Sequence, residues 1–159
     1  MSRIEELQQE AVELLQGLIN TPSLSGEEDQ TAALIKKWLE KHGVSCKQQR
    51  NNVYAINKHE DPSKPYLLLN SHHDTVLPNS GYTRDPYKAA IENGKLYGLG
   101  SNDAGGALVC LLATFIYFYE QKDMAYNLVV AATAEEETSG DYGLNSLLKT
   151  LPNINTAIV

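Results

Sequence analysis

The sequence predicts an α/β fold, a three-layer sandwich in which a mixed, mostly parallel sheet is flanked by helices. Three observations carry this expectation. Tyr66-Leu67-Leu68-Leu69 and Leu128-Val129-Val130-Ala131-Ala132 are short, strongly apolar runs, as expected of strands covered on both faces. Each run leads abruptly into ionisable residues, His72-His73-Asp74 in one case and Glu135-Glu136-Glu137 in the other, and open α/β sheets hold their ligands just beyond such strand ends. Other stretches carry apolar residues at helical spacing. At 159 residues and 42% hydrophobic content, the chain is long enough for one domain with its own core.

Ile4, Leu7, Ala11, Leu14, Leu15 and Leu18 share one face of a helix over residues 2–20, which Thr21-Pro22 ends. Ser25-Gly26-Glu27-Glu28 then forms a capping box, with Ser25 as N-cap and Glu28 three residues on. The helix it opens has Leu34, Ile35, Trp38 and Leu39 on its inner face and Gly43 as its stop. Strands follow at 44–49 and 52–57, divided by the polar turn Arg50-Asn51, and Pro62 and Pro65 punctuate the loop into the strand that starts at Tyr66. Beyond Asp74 lies an irregular stretch with Pro78, Gly81 and Pro86. Asn93-Gly94 then marks a hairpin between 87–92 and 95–97. A glycine-rich loop, 98–106, leads into an apolar helix over 107–120. The strand at 128–134 precedes the acidic triplet, a helical segment at 142–149 and a last strand at 155–159.

Thirteen basic against twenty acidic side chains give a net charge of −7. With no basic cluster longer than a lysine pair, nucleic acid and anionic membranes are poor partners. The first residues are charged and lack the apolar core of a signal peptide, and the apolar run 107–119 is short for a bilayer and expected to be a buried helix. Cys46 and Cys110 have no metal-type spacing, so two reduced thiols in a cytoplasmic protein are expected.

Residues two apart in extended chain point the same way, so His72 and Asp74 share a side and His73 faces elsewhere. One imidazole nitrogen can then bind a metal while a carboxylate holds the other N–H. Taken alone, such a pair is equally well a polar turn. The glycine loop fails as a phosphate cradle: Asp103 stands where a dinucleotide site needs its third glycine, and no Lys-Ser or Lys-Thr follows Gly105. Asp103 in isolation is a plain N-cap, but the surplus of glycines implies closer packing than a cap requires. At the third strand end, neighbouring glutamates point in opposed directions and can serve different atoms of one site. All three features fall at one sheet edge. Nitrogen and oxygen donors without thiolates suit Zn²⁺, Co²⁺ or Mn²⁺, and a glutamate beside such ions can take a proton from water, which predicts metal-assisted hydrolysis.

These residues resemble a known family, the co-catalytic zinc amidohydrolases and peptidases that include acetylornithine deacetylase, succinyl-diaminopimelate desuccinylase, aminoacylase and carboxypeptidase G. The matching motifs are Ser25-Gly26-Glu27-Glu28, His72-x-Asp74-Thr75-Val76, Asp85-Pro86-Tyr87, Gly94-Lys95-Leu96-Tyr97-Gly98-x-Gly100-x-x-Asp103 and Thr133-Ala134-Glu135-Glu136-Glu137-Thr138-Ser139. The resemblance implies a zinc-exopeptidase-like fold and two zinc ions, with cobalt or manganese as substitutes. It implies that His72 binds one metal and Asp74 orients it, that Asp103 bridges both, that Glu137 binds the second and that Glu136 is the general base. The implied substrate is an N-acyl amino acid, N-acetylornithine first, with a dipeptidase or carboxypeptidase, or a non-catalytic metal-binding module, as alternatives. Residues 1–159 correspond to the N-terminal part of the family's catalytic domain. Its lid domain, used for homodimerisation, and its C-terminal ligands have no counterpart here, so poor metal binding and little turnover are expected of this chain alone. The family commonly has Arg at Leu99, Asp at Glu135 and Met-Lys at Ala104-Gly105. These are not metal ligands in the family, so the departures bear on substrate preference.

Overall fold

The computed structural model describes residues 2–159. Helix α1 spans Arg3–Ile19 and is opened by a true capping box, in which Ser2 Oγ accepts from Glu5 N and the Glu5 carboxylate accepts from Ser2 N. Helix α2 spans Asp29–Lys41. Strands β1 (Lys47–Gln49), β2 (Asn52–Ile56) and β3 (Tyr66–His72) follow, then the hairpin of β4 (Ala90–Glu92) and β5 (Lys95–Tyr97). A π-helical turn at Ser101–Gly105 runs into α3 (Gly106–Phe118), and β6 (Asn127–Thr133), α4 (Leu144–Leu147) and β7 (Ile154–Ile158) complete the order.

The main sheet has the order β1-β2-β6-β3-β7, with β3 parallel to both β6 and β7, and β2 antiparallel to β1 and β6. It is therefore a mixed sheet, and β3 and β6, the two apolar runs, lie side by side at its centre. Their register sets His72 opposite Thr133. The turns that follow the two strands thus leave the sheet at the same level.

Side-chain alternation divides the core in two. Leu69, Val130, Ala132, Val53 and Ala55 face α1, α2 and α3, where Leu14, Ile35, Leu108, Leu112 and Phe115 are buried with them. Leu68, Val129 and Ala131 face the other way, against Leu147 of the single-turn α4. Each such fully buried Leu, Val or Phe contributes about 1.5–3 kcal/mol. The outer flank of α3 is open, with Cys110 and Tyr117 exposed. By length and composition alone the 18 residues Ser101–Phe118 suffice to cross a membrane. In the fold their inner side packs on α1 and β3.

The structure corrects several expected boundaries. Ser25 and Glu28 are not a capping box: α2 begins at Asp29, and no side chain caps it, because both residues are drawn into other hydrogen bonds. The first strand starts at Lys47 rather than at residue 44, since Val44 N still donates to Leu39 O at the end of α2. The first hairpin strand starts at Ala90, because Asp85 holds the backbone N–H groups of Tyr87 and Lys88 in a turn. The segment expected to be helical over 142–149 keeps one turn. Tyr142 is outside it, its N–H bound by Glu135 Oε2 and its carbonyl by Asn52 Nδ2.

Candidate metal centre

His72, the last residue of β3, is buried, and its partners set its tautomer. Nδ1 lies 3.0 Å from Asp74 O and 3.3 Å from Asp74 Oδ1, both acceptors, so Nδ1 carries a proton. Nε2 faces outward, 3.2 Å from Asp103 Oδ1 and 3.7 Å from Glu136 Oε2. Burial opposes a charge on this imidazole, but the Asp74 carboxylate and then Asp103 outweigh it and raise His72 to about 9.

Asp74 itself faces inward and is 1% exposed. Its Oδ1 accepts from Glu136 N at 3.1 Å, and its Oδ2 from Ser25 Oγ at 2.7 Å and Glu137 N at 3.0 Å. Burial works to raise the Asp74 carboxyl; the donors His72, Ser25, Glu137 N and Glu136 N prevail and hold it down to about 2. With its oxygens committed, Asp74 orients its neighbours.

Asp103 arrives from the π-helical turn, where Gly105 N donates to Gly100 O at 2.8 Å. The plain N-cap alternative fails, since Gly105 occupies the N-cap of α3 and no side chain caps that helix. The glycine surplus has a steric cause. Gly100 has φ +73°, and a Cβ there would lie 2.8 Å from Thr75 Cγ2. A Cβ on Gly105 would lie 2.7 Å from Gly100 O.

One ligand atom each from His72, Asp103 and Glu137 lie within 4.8 Å of one another. Glu136 is beside them with a side chain 60% exposed. Burial and then the Asp103 charge raise the Glu137 carboxyl above its ordinary value. Among the described residues no lysine or arginine pairs with Asp74, Asp103, Glu136 or Glu137. Four carboxylates around one imidazole, with no thiolate and no paired lysine or arginine among the described residues, fit a divalent ion held by nitrogen and oxygen. A cavity of about 230 Å³ opens against Asp103 and Glu137, lined also by Val76, Tyr82 and Asn102.

His73 faces away from the cluster and is a structural residue. Its Nε2–H donates to Asn51 O at 3.0 Å, and its Nδ1 accepts from Thr31 Oγ1 at 2.8 Å. Burial lowers its pKa and keeps it neutral. Two participants escaped the sequence reading, Ser25 as a donor to Asp74 and Glu28 as a buried acceptor. Their motif carries the same donor and acceptor types that a helix cap needs, so residue types alone did not name their partners.

A mixed α/β sandwich with this donor set at the ends of two parallel strands defines a class, the metal-dependent hydrolases. Within it, residues 68–157 match the Peptidase family M20/M25/M40, and the chain belongs to that family. It is 34% identical over 140 residues to the acetylornithine deacetylase of Shigella sonnei, covering 80% of this chain and 36% of that one. It is 28% identical over 150 residues to the succinyl-diaminopimelate desuccinylase of Rickettsia bellii, covering 87% and 38%. Among solved structures, the metallo-carboxypeptidase Sso-CP2 of Sulfolobus solfataricus aligns with a TM-score of 0.72 at 28% identity, over 89% of this chain and 34% of that one. The Bacillus subtilis protein YXEP, a dinuclear metal binding peptidase of the same family, shares the fold with a TM-score of 0.70 at 16% identity, over 96% and 42%. The chain spans between 36% and 42% of the length of the curated relatives it matches.

Proposed function

We propose that this chain supplies part of the two-metal centre of an enzyme that removes the acyl group from an N-acyl amino acid, with N-acetylornithine as substrate and ornithine and acetate as products. The observation that carries the reading is the convergence of His72, Asp103 and Glu137 within 4.8 Å, with Glu136 next to them. The 34% identity to an acetylornithine deacetylase supports the substrate.

His72, Asp103 and Glu137 would hold the metal, zinc by preference with cobalt or manganese as substitutes, which when bound supplies polarisation of the scissile carbonyl and acidification of water. The chain's own residues do the rest. Asp74 keeps the proton on His72 Nδ1 and so presents Nε2 as a lone-pair donor. Asp103, 3.2 Å from His72 Nε2, would be the carboxylate shared by the two ions. Glu136, solvent-facing, takes the proton from the attacking water and returns it to the departing amine nitrogen. The remaining ligands, and the lid through which a homodimer would form, fall to the length of the relatives that this chain does not span. A cytoplasmic setting fits the two free cysteines, Cys46 and Cys110.

A dipeptidase or carboxypeptidase is the second reading, favoured by the likeness to Sso-CP2. Assaying N-acetylornithine, N-succinyl-diaminopimelate and dipeptides side by side decides between them, and preferential release of acetate supports the first. Zinc titration of the purified chain tests the centre itself. Binding that His72→Ala leaves untouched would overturn it.

A further inference from the structure

The turn that carries Glu136 and Glu137 rests on two buried carboxylates. Three successive backbone N–H groups point inward from it: Glu135 N donates to Glu28 Oε1 at 3.1 Å, Glu136 N to Asp74 Oδ1 at 3.1 Å and Glu137 N to Asp74 Oδ2 at 3.0 Å. Glu135 has φ +56°, a left-handed conformation that a residue with a side chain adopts only when its surroundings impose it. Successive N–H groups arranged in this way form an anion-binding nest. Here the anions are the protein's own, and the side chains of Glu136 and Glu137 lie on the outer side of the turn, beside His72.

Glu28 is 0% exposed, and among the described residues it has no cation for a partner. Its Oε1 also accepts from Gly26 N at 2.7 Å, and its Oε2 accepts from Asn51 Nδ2 at 2.7 Å. Asn51 in turn receives the Nε2–H of His73, the residue after His72. One carboxylate thus ties the end of β6 directly, and the end of β3 through Asn51, to the loop before α2. A buried carboxylate without a counter-ion is costly to retain for packing alone, since an apolar side chain avoids its desolvation. What the charge supplies is the grip on N–H groups that no apolar side chain offers.

We propose that Glu28 is a positioning residue: through its hydrogen bond to Glu135 N it imposes the left-handed turn that aims Glu136 and Glu137 at the cluster. The proposal rests on reading Glu137 as a metal ligand and Glu136 as the base, and extends that reading to a residue that touches neither metal nor substrate.

The test uses the full chain with Glu28→Met and Glu28→Gln. The first keeps the length of the side chain and removes the acceptor of Glu135 N. The second keeps one acceptor oxygen for Glu135 N and Gly26 N, and the Asn51 amide turns over to meet the new NH₂. In the metal-free chain, amide hydrogen exchange at Glu136 and Glu137 is expected to quicken at least about tenfold in Glu28→Met, at unchanged exchange of Leu68 and Val130, and to stay near the wild-type rate in Glu28→Gln. Co²⁺ titration is expected to show an affinity lower by about 10–100-fold in Glu28→Met, with an altered visible spectrum, and near-wild-type binding in Glu28→Gln. Unchanged exchange at Glu136 and Glu137 in Glu28→Met, or faster exchange spread evenly over the sheet, overturns the proposal. Co²⁺ binding that His72→Ala leaves untouched would sink the metal-centre reading, while the exchange result still decides whether Glu28 sets the turn.

Discussion

His72 Nε2 lies 3.2 Å from Asp103 Oδ1, across 31 residues of sequence. One is held at a strand end with almost no freedom, the other on an exposed turn whose side chain is 78% accessible. A buried nitrogen donor facing an exposed oxygen donor suits a site that admits a cation from solvent. On this arrangement His72→Ala is expected to abolish saturable Zn²⁺ binding in calorimetric titration, whereas Asp103→Ala weakens it and lowers the number of ions bound.

Glu136→Gln is expected to separate binding from turnover. Among the described residues its carboxylate makes no hydrogen bond; its backbone holds the turn, the N–H on Asp74 Oδ1 and the carbonyl accepting from Ser139 N. In the catalytically active protein the deacylation rate should fall by about 10²–10⁴-fold, with metal content by elemental analysis unchanged. Equal loss of both would remove Glu136 from the role of base.

Asp74→Asn keeps the shape of the side chain and spoils its pairing. An amide cannot accept from Ser25, His72 and two backbone N–H groups, and its own NH₂ must oppose one of them. Metal affinity should drop by about 10–100-fold. Thermal unfolding should also shift downward, because a buried donor left unsatisfied costs about 1–3 kcal/mol.

Two glycines should respond to alanine with opposite sign. At Gly100, with φ +73° and Thr75 Cγ2 only 2.8 Å from the new Cβ, alanine is expected to cost about 1–3 kcal/mol and to weaken metal binding through the displaced Asp103 turn. Gly17, inside α1 with nothing within 4 Å of a new Cβ, should gain about 0.4–1 kcal/mol. Denaturant melts of the two variants check the contrast.

His42 gives the stability a pH dependence far from the centre. Burial beside Trp38 is the main influence and lowers its imidazole below the ordinary 6.5; the Glu10 carboxylate 3.1 Å away pulls upward, Lys41 and Arg3 push down, and the net shift is downward. The unfolded chain therefore takes up this proton more readily than the folded one. The contribution is complete above pH 6.5 and is lost as pH falls from there through the folded value. His42→Gln should flatten that part of the stability profile, and a folded-state titration of His42 by NMR midway above 6.5 would contradict it.

The central strands were legible because burial on both faces demands uninterrupted apolar side chains, as in Leu67-Leu68-Leu69 and Val129-Val130-Ala131. The hairpin was legible because Asn93 and Gly94 tolerate the positive φ values, +52° and +74°, that its turn requires. His72 and Asp103 stood out by local pattern, at a strand end and in a glycine-rich turn, whereas Glu137 was distinguished from its two acidic neighbours only by the family resemblance. Ser25 and Glu28 could not be picked out, because a hydroxyl and a carboxylate three residues apart satisfy a helix end or a distant turn equally well, and only tertiary contacts choose. The π-helical turn at Ser101–Gly105 was invisible for a similar reason: its glycines answer to Thr75 and to one another's backbone. The open flank of α3 has no sequence signal at all, being as apolar as its inner side.

The level pairing of His72 with Thr133 means that changes of length are not equivalent along this chain. Adding or deleting one residue within β3 would exchange the two histidines, turning the structural His73 outward and burying the other among Thr31 and Asn51. A codon gained or lost between Val76 and Pro86 leaves that order intact. Insertion scanning of the gene should therefore find the seven residues of β3 intolerant and the following loop permissive.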